Sequence, residues 1–99
     1  MEFHHAITLD PKYAYAYVEL GSALYHQGKV AEAIAEYQRA IELDSRNATA
    51  HDGLGVALSA DGKTDDAIAE YRRAIEIPPS YKNARDHLEK ALEAKSATK

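Results

Sequence analysis

Five histidines are the side chains of this sequence best suited to metal binding or acid–base chemistry. His4 and His5 are adjacent, so on a helix they point about 100° apart, and we expect both at the surface. His51 has no second histidine or carboxylate four residues on in a recognised metal-binding pattern, so we expect it to fill a packing position. His26 and His87 are candidates for pH-sensitive contacts only. The sequence therefore predicts no metal site and no cofactor.

Motifs for nucleophilic or phosphate chemistry are missing from the sequence. The chain has no cysteine, which excludes a disulfide, a thiolate nucleophile and a cysteine-ligated metal. It contains neither a phosphate-binding glycine loop nor a nucleophile elbow. The paired acids Asp65 and Asp66 are explained by the start of a helix, where negative charge is favourable. We therefore predict that the protein is not an enzyme.

The length and charge of the chain restrict the classes of partner that it can bind. Its 99 residues, of which 45% are hydrophobic, are enough for one small domain. The net charge of −4 argues against nucleic-acid binding, which needs a basic surface. No apolar run approaches the roughly 20 residues that a bilayer requires, and residues 1–5 lack the pattern of a signal peptide. We expect no membrane association and a cytoplasmic location.

The sequence matches itself at an offset of 34 residues. Residues 14–47 form one copy and residues 48–81 the next, and about half of the aligned positions are identical. The flanks keep the same register, because residues 3–9 resemble the end of a copy and residues 81–95 the start of one. The repeat therefore spans the chain as far as a tail at residues 96–99. Identical pairs include Leu20/Leu54, Gly21/Gly55, Gly28/Gly62, Tyr37/Tyr71 and Ala40/Ala74.

Each copy has the hydrophobic spacing of two helices, in which apolar residues recur at steps of three and four. Gly28 and Gly62 are placed to end the first helix of each copy in the left-handed conformation. The second helix of the first copy is predicted from Val30 to Leu43. We expect Asn47 and Thr64 to act as N-caps of the helices that follow them. The expected buried stripes are Tyr17, Leu20, Gly21 and Leu24 in the first helix and Ala33, Ile34, Tyr37, Ala40 and Ile41 in the second.

Small residues in these stripes predict close helix crossings. Gly21 and Ala40 lie where a larger side chain would push two helix axes apart. Tyr37 and Tyr71 are expected to fill the remaining space. A single helix pair cannot bury both of its apolar faces, so we expect neighbouring pairs to stack into a solenoid.

Taken together, the period of 34 and these spaced positions resemble the tetratricopeptide repeat family. The matching residues are Tyr17, Leu20, Gly21, Leu24, Ala33, Tyr37 and Ala40, and then His51, Leu54, Gly55, Leu58, Ala67, Tyr71, Ala74 and Pro79. The resemblance implies an all-α, right-handed solenoid of stacked antiparallel helix pairs. The implied solenoid comprises two full repeats at 14–47 and 48–81, a partial helix at 3–9 and a capping helix at 81–95. His51 and Ser45 depart from the pattern, which predicts a looser junction between the two repeats.

The same resemblance implies a non-catalytic module that binds a protein or peptide in the concave groove formed by the first helix of each repeat. The groove is expected to be aromatic and apolar at one end and acidic toward the other, which suits a partner with a basic or apolar segment. A solvated helix surface without a ligand remains the alternative. The matching groove positions are Tyr15, Val18, Glu19, Ser22, Tyr25, His26, Thr49, Asp52, Gly53, Val56, Asn83, Asp86, His87 and Lys90.

One known activity of the family can be compared residue by residue. Members that bind the acidic C-termini of heat-shock chaperones use a carboxylate clamp of lysine, asparagine and arginine side chains. The corresponding positions here lack that set, and Asp86 stands where an arginine is needed. We therefore do not expect a co-chaperone role. The clamp positions in this chain are Val18, Ser22, Gly53, Asn83 and Asp86.

The N-terminal end offers a second function, self-association. The helix that contains Tyr13, Tyr15 and Tyr17 is preceded only by the short segment at 3–9, so we expect apolar surface nearby and either Tyr13 or Tyr15 exposed. One interpretation is a fragment of a longer repeat array, in which neighbouring repeats cover this end. The other is a homo-oligomer that uses Phe3, Tyr13 and Tyr17.

Overall fold

A computed structural model describes residues 11–77 and 82–97, all of whose regular elements are α-helices. The expectations for Phe3, His4, His5 and Pro79 and for the partial helix at 3–9 lie outside the described residues. Among those that are described, none of the helices is long and apolar enough to cross a membrane. The helices are α1 (Pro11–His26), α2 (Val30–Leu43), α3 (Ala48–Ala60), α4 (Thr64–Glu76) and α5 (Lys82–Ala97).

The helices stack in chain order, and this arrangement confirms the predicted all-α helical-repeat solenoid. Each helix packs against the next one, and α3 also contacts both α1 and α5. The helices α1, α3 and α5 therefore form one layer, while α2 and α4 form the other. The last helix begins at Lys82 and continues to Ala97, two residues beyond its predicted end. Glu89 is exposed on this helix, at the position where the two preceding copies have a buried glycine.

The turns between helices show which local predictions are correct. Gly28 and Gly62 both have φ of 84°, as predicted for residues that end a helix. The Asn47 side chain accepts a hydrogen bond from the Ala50 amide at 3.0 Å and caps α3. The N-cap prediction for Thr64 is wrong, because Thr64 is already the first residue of α4 and Lys63 precedes it with no side-chain cap.

Alanines and two tyrosines belong to the buried core between the layers. Ala33, Ala40, Ala67 and Ala74 are fully buried, which brings α2 and α4 close to their neighbours. The rings of Tyr37 and Tyr71 are buried between helices and fill the space that these small residues leave, as predicted.

The helix crossings depend on glycine at particular positions. A Cβ atom on Gly55 would lie 2.4 Å from Cε1 of Tyr71, and one on Gly21 would lie 3.1 Å from the Tyr37 ring. Any side chain at Gly55 would therefore displace a ring that is itself buried. The glycine lets the α3 backbone lie directly against the aromatic side chain of α4.

Leu20 departs from the predicted buried stripe. It is 45% exposed, whereas Leu54, its counterpart one repeat later, is 4% exposed and belongs to the core. The difference follows from the stacking order: α2 covers α3 on the Leu54 side, and α1 is the first described helix of the array. The two equivalent leucines therefore have different environments.

Candidate functional site: the concave groove

The layer of α1, α3 and α5 encloses a cavity of about 410 Å³. It brings together eleven of the fourteen residues that the repeat register assigns to the groove. Tyr15 and Asp86 do not line it. The eleven residues are Val18, Glu19, Ser22, Tyr25, His26, Thr49, Asp52, Gly53, Val56, Asn83 and His87.

A second cavity of about 350 Å³ continues the groove toward the C-terminal end of α5. The two cavities share Tyr25, Val56 and His87, so they form one trough rather than two separate pockets. Lys90, the remaining predicted groove residue, lines this second part. It is joined there by Ser59, Ala60, Thr64, Tyr71, Ala91 and Ala94.

The core tyrosines also line the groove, which the sequence reasoning missed. Tyr37 lines the first cavity and Tyr71 the second. Tyr37 reaches the groove because Gly53 has no side chain: a Cβ atom there would lie 2.4 Å from Cε1 of the ring. The glycine at position 53, opposite a repeat tyrosine, was the signal that could have revealed this contact.

Two predicted groove residues are buried rather than exposed. Val18 is 5% exposed and belongs to the hydrophobic core, although it contributes to the cavity wall. Asp52 is 6% exposed, because α5 packs against α3 at this point. Helical periodicity gives the direction of a side chain around its helix, but it does not give the depth at which neighbouring helices cover it.

A hydrogen bond between His87 and Asp52 joins α5 to α3 across the floor of the groove. The Nδ1 atom of His87 donates to Oδ1 of Asp52 at 2.8 Å. Burial raises the pKa of the Asp52 carboxyl, and the hydrogen bond from His87 acts in the opposite direction. His87 is a predicted site of pH-sensitive contact, and its partner is now identified as a buried carboxylate.

Aromatic rings line the groove around this hydrogen bond. The His87 ring lies 5.5 Å from the Tyr71 ring, with 35° between their planes. Burial, assisted by the negative charge of Asp52, raises the pKa of Tyr71 to about 12, so its hydroxyl stays protonated at neutral pH. Tyr25 packs edge-on against His26 at 5.6 Å on α1. The groove therefore offers neutral aromatic surface next to a single buried negative charge.

The polar groups at the α1 end of the groove are hydroxyls and an acid. Burial is the main cause that raises the pKa of Tyr37, and its hydrogen bond with Ser22 acts in the opposite direction. Tyr15, which is exposed, forms a hydrogen bond with Glu19 that raises the pKa of the phenol. Neither lysine nor arginine lines the first cavity, whose acids are Glu19 and Asp52.

His51 lies on the other side of α3 and fills a packing position, as predicted. Its Nδ1 atom donates to Oε1 of Glu70 at 2.8 Å, and its Nε2 atom donates to the Ser45 carbonyl oxygen at 2.9 Å. Arg73 donates to the other oxygen of Glu70 at 3.2 Å. The Glu70 hydrogen bond is the largest cause that raises the pKa of His51. Within residues 11–77 and 82–97, no group of three or more histidine, aspartate and glutamate side chains could hold a metal ion.

The N-terminal tyrosines divide into exposed and packed residues. Tyr13 is 52% exposed and Tyr15 is 61% exposed, which confirms the prediction that one of them stays at the surface. Tyr17 is half-buried and packs against the core, with the guanidinium of Arg39 5.6 Å from its ring centroid. Tyr13 is thus available for contact with another molecule, whereas Tyr17 is already engaged within its own repeat.

Three family models match the chain. Two of them, each described as a tetratricopeptide repeat, match residues 3–35 and 48–81. The third, described as a TPR repeat, matches residues 21–62. Together these matches run from residue 3 to residue 81. No curated protein matches the chain.

Solved structures with a similar arrangement of helices include one TPR domain and two crystal structures of MamA. The second TPR of Spaghetti (RPAP3), bound to the HSP90 peptide SRMEEVD, has 23% identity and a TM-score of 0.83 over 98% of this chain and 86% of that one. A crystal structure of MamA protein has 36% identity and a TM-score of 0.79 over 91% of this chain, and another of MamA has 30% and 0.68 over 93%. The chain spans 49% and 64% of those two MamA chains.

The first of these similarities, at 23% identity, shows the fold alone, and the family rests on the matching repeat models together with the helix stacking. Tetratricopeptide repeats are generally non-catalytic. The chain belongs to the tetratricopeptide repeat family and is a helical-repeat module for protein–protein interaction.

Proposed function

We propose that this chain binds a basic or apolar segment of a partner protein in the trough formed by α1, α3 and α5. The observation that carries the proposal is the continuity of the two cavities, which share Tyr25, Val56 and His87. A trough of this kind, with apolar walls and a few polar groups, suits an extended or helical segment.

The chemistry of the walls supports a partner of this kind. Val56 and Tyr25 supply apolar surface in both cavities, and Glu19 and Asp52 supply negative charge in the first. A basic side chain next to apolar ones would satisfy both features. The proposed binding residues are the fourteen groove positions given above, with Tyr37 and Tyr71 added.

An acidic peptide is a poor match for the same walls. The protein of similar fold described above is bound to the peptide SRMEEVD, which carries three acidic residues and a single arginine. Here the clamp positions Val18 and Gly53 carry no charge, and Asp52 and Glu19 would repel the carboxylates of such a peptide. We propose that the groove of this chain selects against acidic C-termini.

Selection of a binding segment, followed by blocking variants, tests this function. Peptides would be selected from a phage-displayed library with the whole chain as bait. Ser59 is exposed on α3 and lines the second cavity, so Ser59→Arg should weaken the selected peptides at least tenfold. Ala69 is exposed on α4 and lines none of the groove, so Ala69→Arg is the matched control and should leave affinity unchanged.

The affinities of the two variants distinguish groove binding from binding elsewhere. Loss of affinity in Ser59→Arg alone supports groove binding. Equal affinity in both variants, or selection of no peptide that binds the chain in solution, would overturn the proposed function. The SRMEEVD peptide serves as the acidic probe, and binding of that peptide in the trough would contradict the charge argument.

Self-association is a second function that one observation favours. Tyr13 and Leu20 on α1 are 52% and 45% exposed, so this helix offers apolar surface to another copy. Light scattering across a range of concentrations would show a mass above 10.9 kDa if copies associate. Leu20→Lys should then return the mass to that of one chain. A constant mass of one chain would contradict self-association.

A further inference from the structure

Among the described residues, only one carboxylate oxygen of Asp52 has a hydrogen-bond donor. Its side chain is 8% exposed and lines the 410 Å³ cavity. Oδ1 accepts the hydrogen bond from His87, while the described residues give Oδ2 no hydrogen bond. A carboxylate can accept up to about four hydrogen bonds, so this buried group retains capacity for a second donor.

No lysine or arginine in the described part of the chain lines the cavity around this carboxylate, so a cationic side chain of a partner can pair with it. The groups of the first cavity that can carry charge are Glu19, Asp52, His26 and His87, and His87 alone contacts Asp52. Lys90, a basic residue of the groove, lines the adjoining cavity instead. Burial disfavours an ionised carboxylate, and a permanently charged donor would offset that cost.

The surfaces beside Asp52 suit the aliphatic part of a lysine or arginine side chain. Val18, Val56 and Tyr25 line the same cavity and provide apolar contact for the methylene groups. Glu19 lies at the α1 side of the cavity and adds a second negative charge. A long basic side chain can therefore enter along apolar walls and end at a carboxylate.

We infer that Asp52 is the specificity-determining residue of the groove and that its Oδ2 atom receives the lysine or arginine side chain of the bound segment. The inference rests on the proposed function and deepens it, since it assigns one basic residue of the partner to one carboxylate. His87 keeps its hydrogen bond to Oδ1 and holds the carboxylate in place.

Four pools of heptapeptides test this assignment on the intact chain. Each pool has a fixed central residue, which is lysine, arginine, norleucine or glutamate, flanked by mixtures of alanine, leucine and serine. Affinity is measured by NMR titration. The lysine and arginine pools should bind about tenfold more tightly than the norleucine pool, because charge-assisted hydrogen bonds to a buried group have this strength. The glutamate pool should bind most weakly.

The Asp52 side chain gives a direct readout that needs no variant. Its ¹³Cγ resonance should shift on addition of the lysine pool and stay in place with the norleucine pool at equal saturation. This measurement keeps the test decisive even where a substitution of a buried residue lowers stability.

Two variants then locate the cation. Asp52→Asn should reduce the preference for lysine over norleucine to about one. Glu89→Gln also removes one negative charge, from an exposed position of α5 outside both cavities, and should leave the preference intact. Retention of the preference in Asp52→Asn, or its loss in Glu89→Gln, would overturn the assignment to Asp52.

The remaining outcomes distinguish the two proposals. If the norleucine pool binds as tightly as the lysine pool in the groove, the proposed function stands and the inference about Asp52 is wrong. If no pool shifts any groove resonance, both are wrong.

Discussion

His51 lies between two hydrogen-bond acceptors, so both of its ring nitrogens donate. The ring is therefore in its protonated, positively charged form. The acceptors are the Glu70 carboxylate and the Ser45 carbonyl oxygen. The sequence predicted a packing role for His51, because it stands at the aromatic position that Tyr17 has one repeat earlier. The partner Glu70 could not be predicted, since a period of 34 places helices but not the rotamers of long side chains.

The protonated state of His51 leads to a prediction of pH dependence. The pKa of His51 is raised in the folded chain above its usual value of 6.5. Its contribution to the free energy of unfolding is therefore fully present below about pH 6.5 and is lost as the pH rises through the folded pKa. We expect His51→Tyr, which restores the residue type of the first repeat, to lower stability at pH 6 by about 2 kcal/mol.

Urea unfolding between pH 6 and pH 9 measures this effect. The native chain should lose stability over that range, and the His51→Tyr variant should lose less. His26 is exposed, so His26→Gln is the control and should keep the native slope. A slope that is unchanged in His51→Tyr would contradict the assigned role of the buried histidine.

Glu36 and Glu70 occupy equivalent positions, 34 residues apart, but only one of them has a buried partner. The Oε1 atom of Glu70 accepts from His51, whereas the buried Oε1 atom of Glu36 has no hydrogen-bond partner in the described part of the chain. Glu36→Met should raise the free energy of unfolding by about 1 kcal/mol, because it removes an unsatisfied acceptor. Glu70→Met should lower it by about 3 kcal/mol, because it leaves His51 unpaired. Thermal unfolding of both variants measures the difference, and effects of the same sign would refute it.

At the scale of elements, the start of α3 depends on one side chain. Asn47 accepts from the Ala50 amide and satisfies a donor that the helix itself leaves free. Asn47→Ala should lower stability by about 1 kcal/mol, as for other N-caps. Lys63 precedes α4 without a side-chain cap, so Lys63→Ala should change stability by less than about 0.5 kcal/mol. Denaturant titration compares the two, and equal effects would argue against a capping role for Asn47.

The crossing of α3 and α4 depends on Gly55. Alanine is favoured over glycine in a helix by about 1 kcal/mol, so Gly55→Ala would stabilise an isolated helix. In the folded chain the new Cβ atom would lie 2.4 Å from Tyr71, a buried ring. We expect a net loss of about 1–3 kcal/mol, because crowding in a packed interface outweighs the helix propensity.

Gly21→Ala, at the equivalent crossing of α1 and α2, is the graded comparison. Its Cβ atom would lie 3.1 Å from Tyr37, so the loss should be smaller than at Gly55. Calorimetric unfolding measures both variants. A larger loss at Gly21 than at Gly55 would contradict the role given to the close approach.

The position of the elements was largely predictable, and their local chemistry was predictable only in part. The bounds of α2, from Val30 to Leu43, agree with those expected from its apolar spacing and its flanking glycine and aspartate. Thr64 was misassigned as a cap because the residue before it already has the flanking conformation. Cap identity depends on backbone angles at a single residue, which residue type alone does not determine.

At the scale of the whole molecule, the repeat register predicts which side chains share a surface. It brought residues from three helices, separated by more than 60 positions in sequence, into one trough. It did not predict that Asp52 would be buried or that His87 would pair with it, because both depend on how deeply α5 packs onto α3. The stacking of helices thus brings residues that are distant in sequence into one site. The depth at which each side chain is buried determines which charged groups it contacts.

Chemical-shift mapping with a peptide selected against the chain tests the groove most directly. The ¹⁵N-labelled chain would be titrated with that peptide, and the amide resonances that move would be placed on the helices. We expect the largest shifts on α1, α3 and α5, at Ser22, Val56 and His87. Shifts concentrated instead on α2 and α4, for example at Gln38 and Arg72, would show that the partner binds the opposite face and that the concave groove is not the binding site.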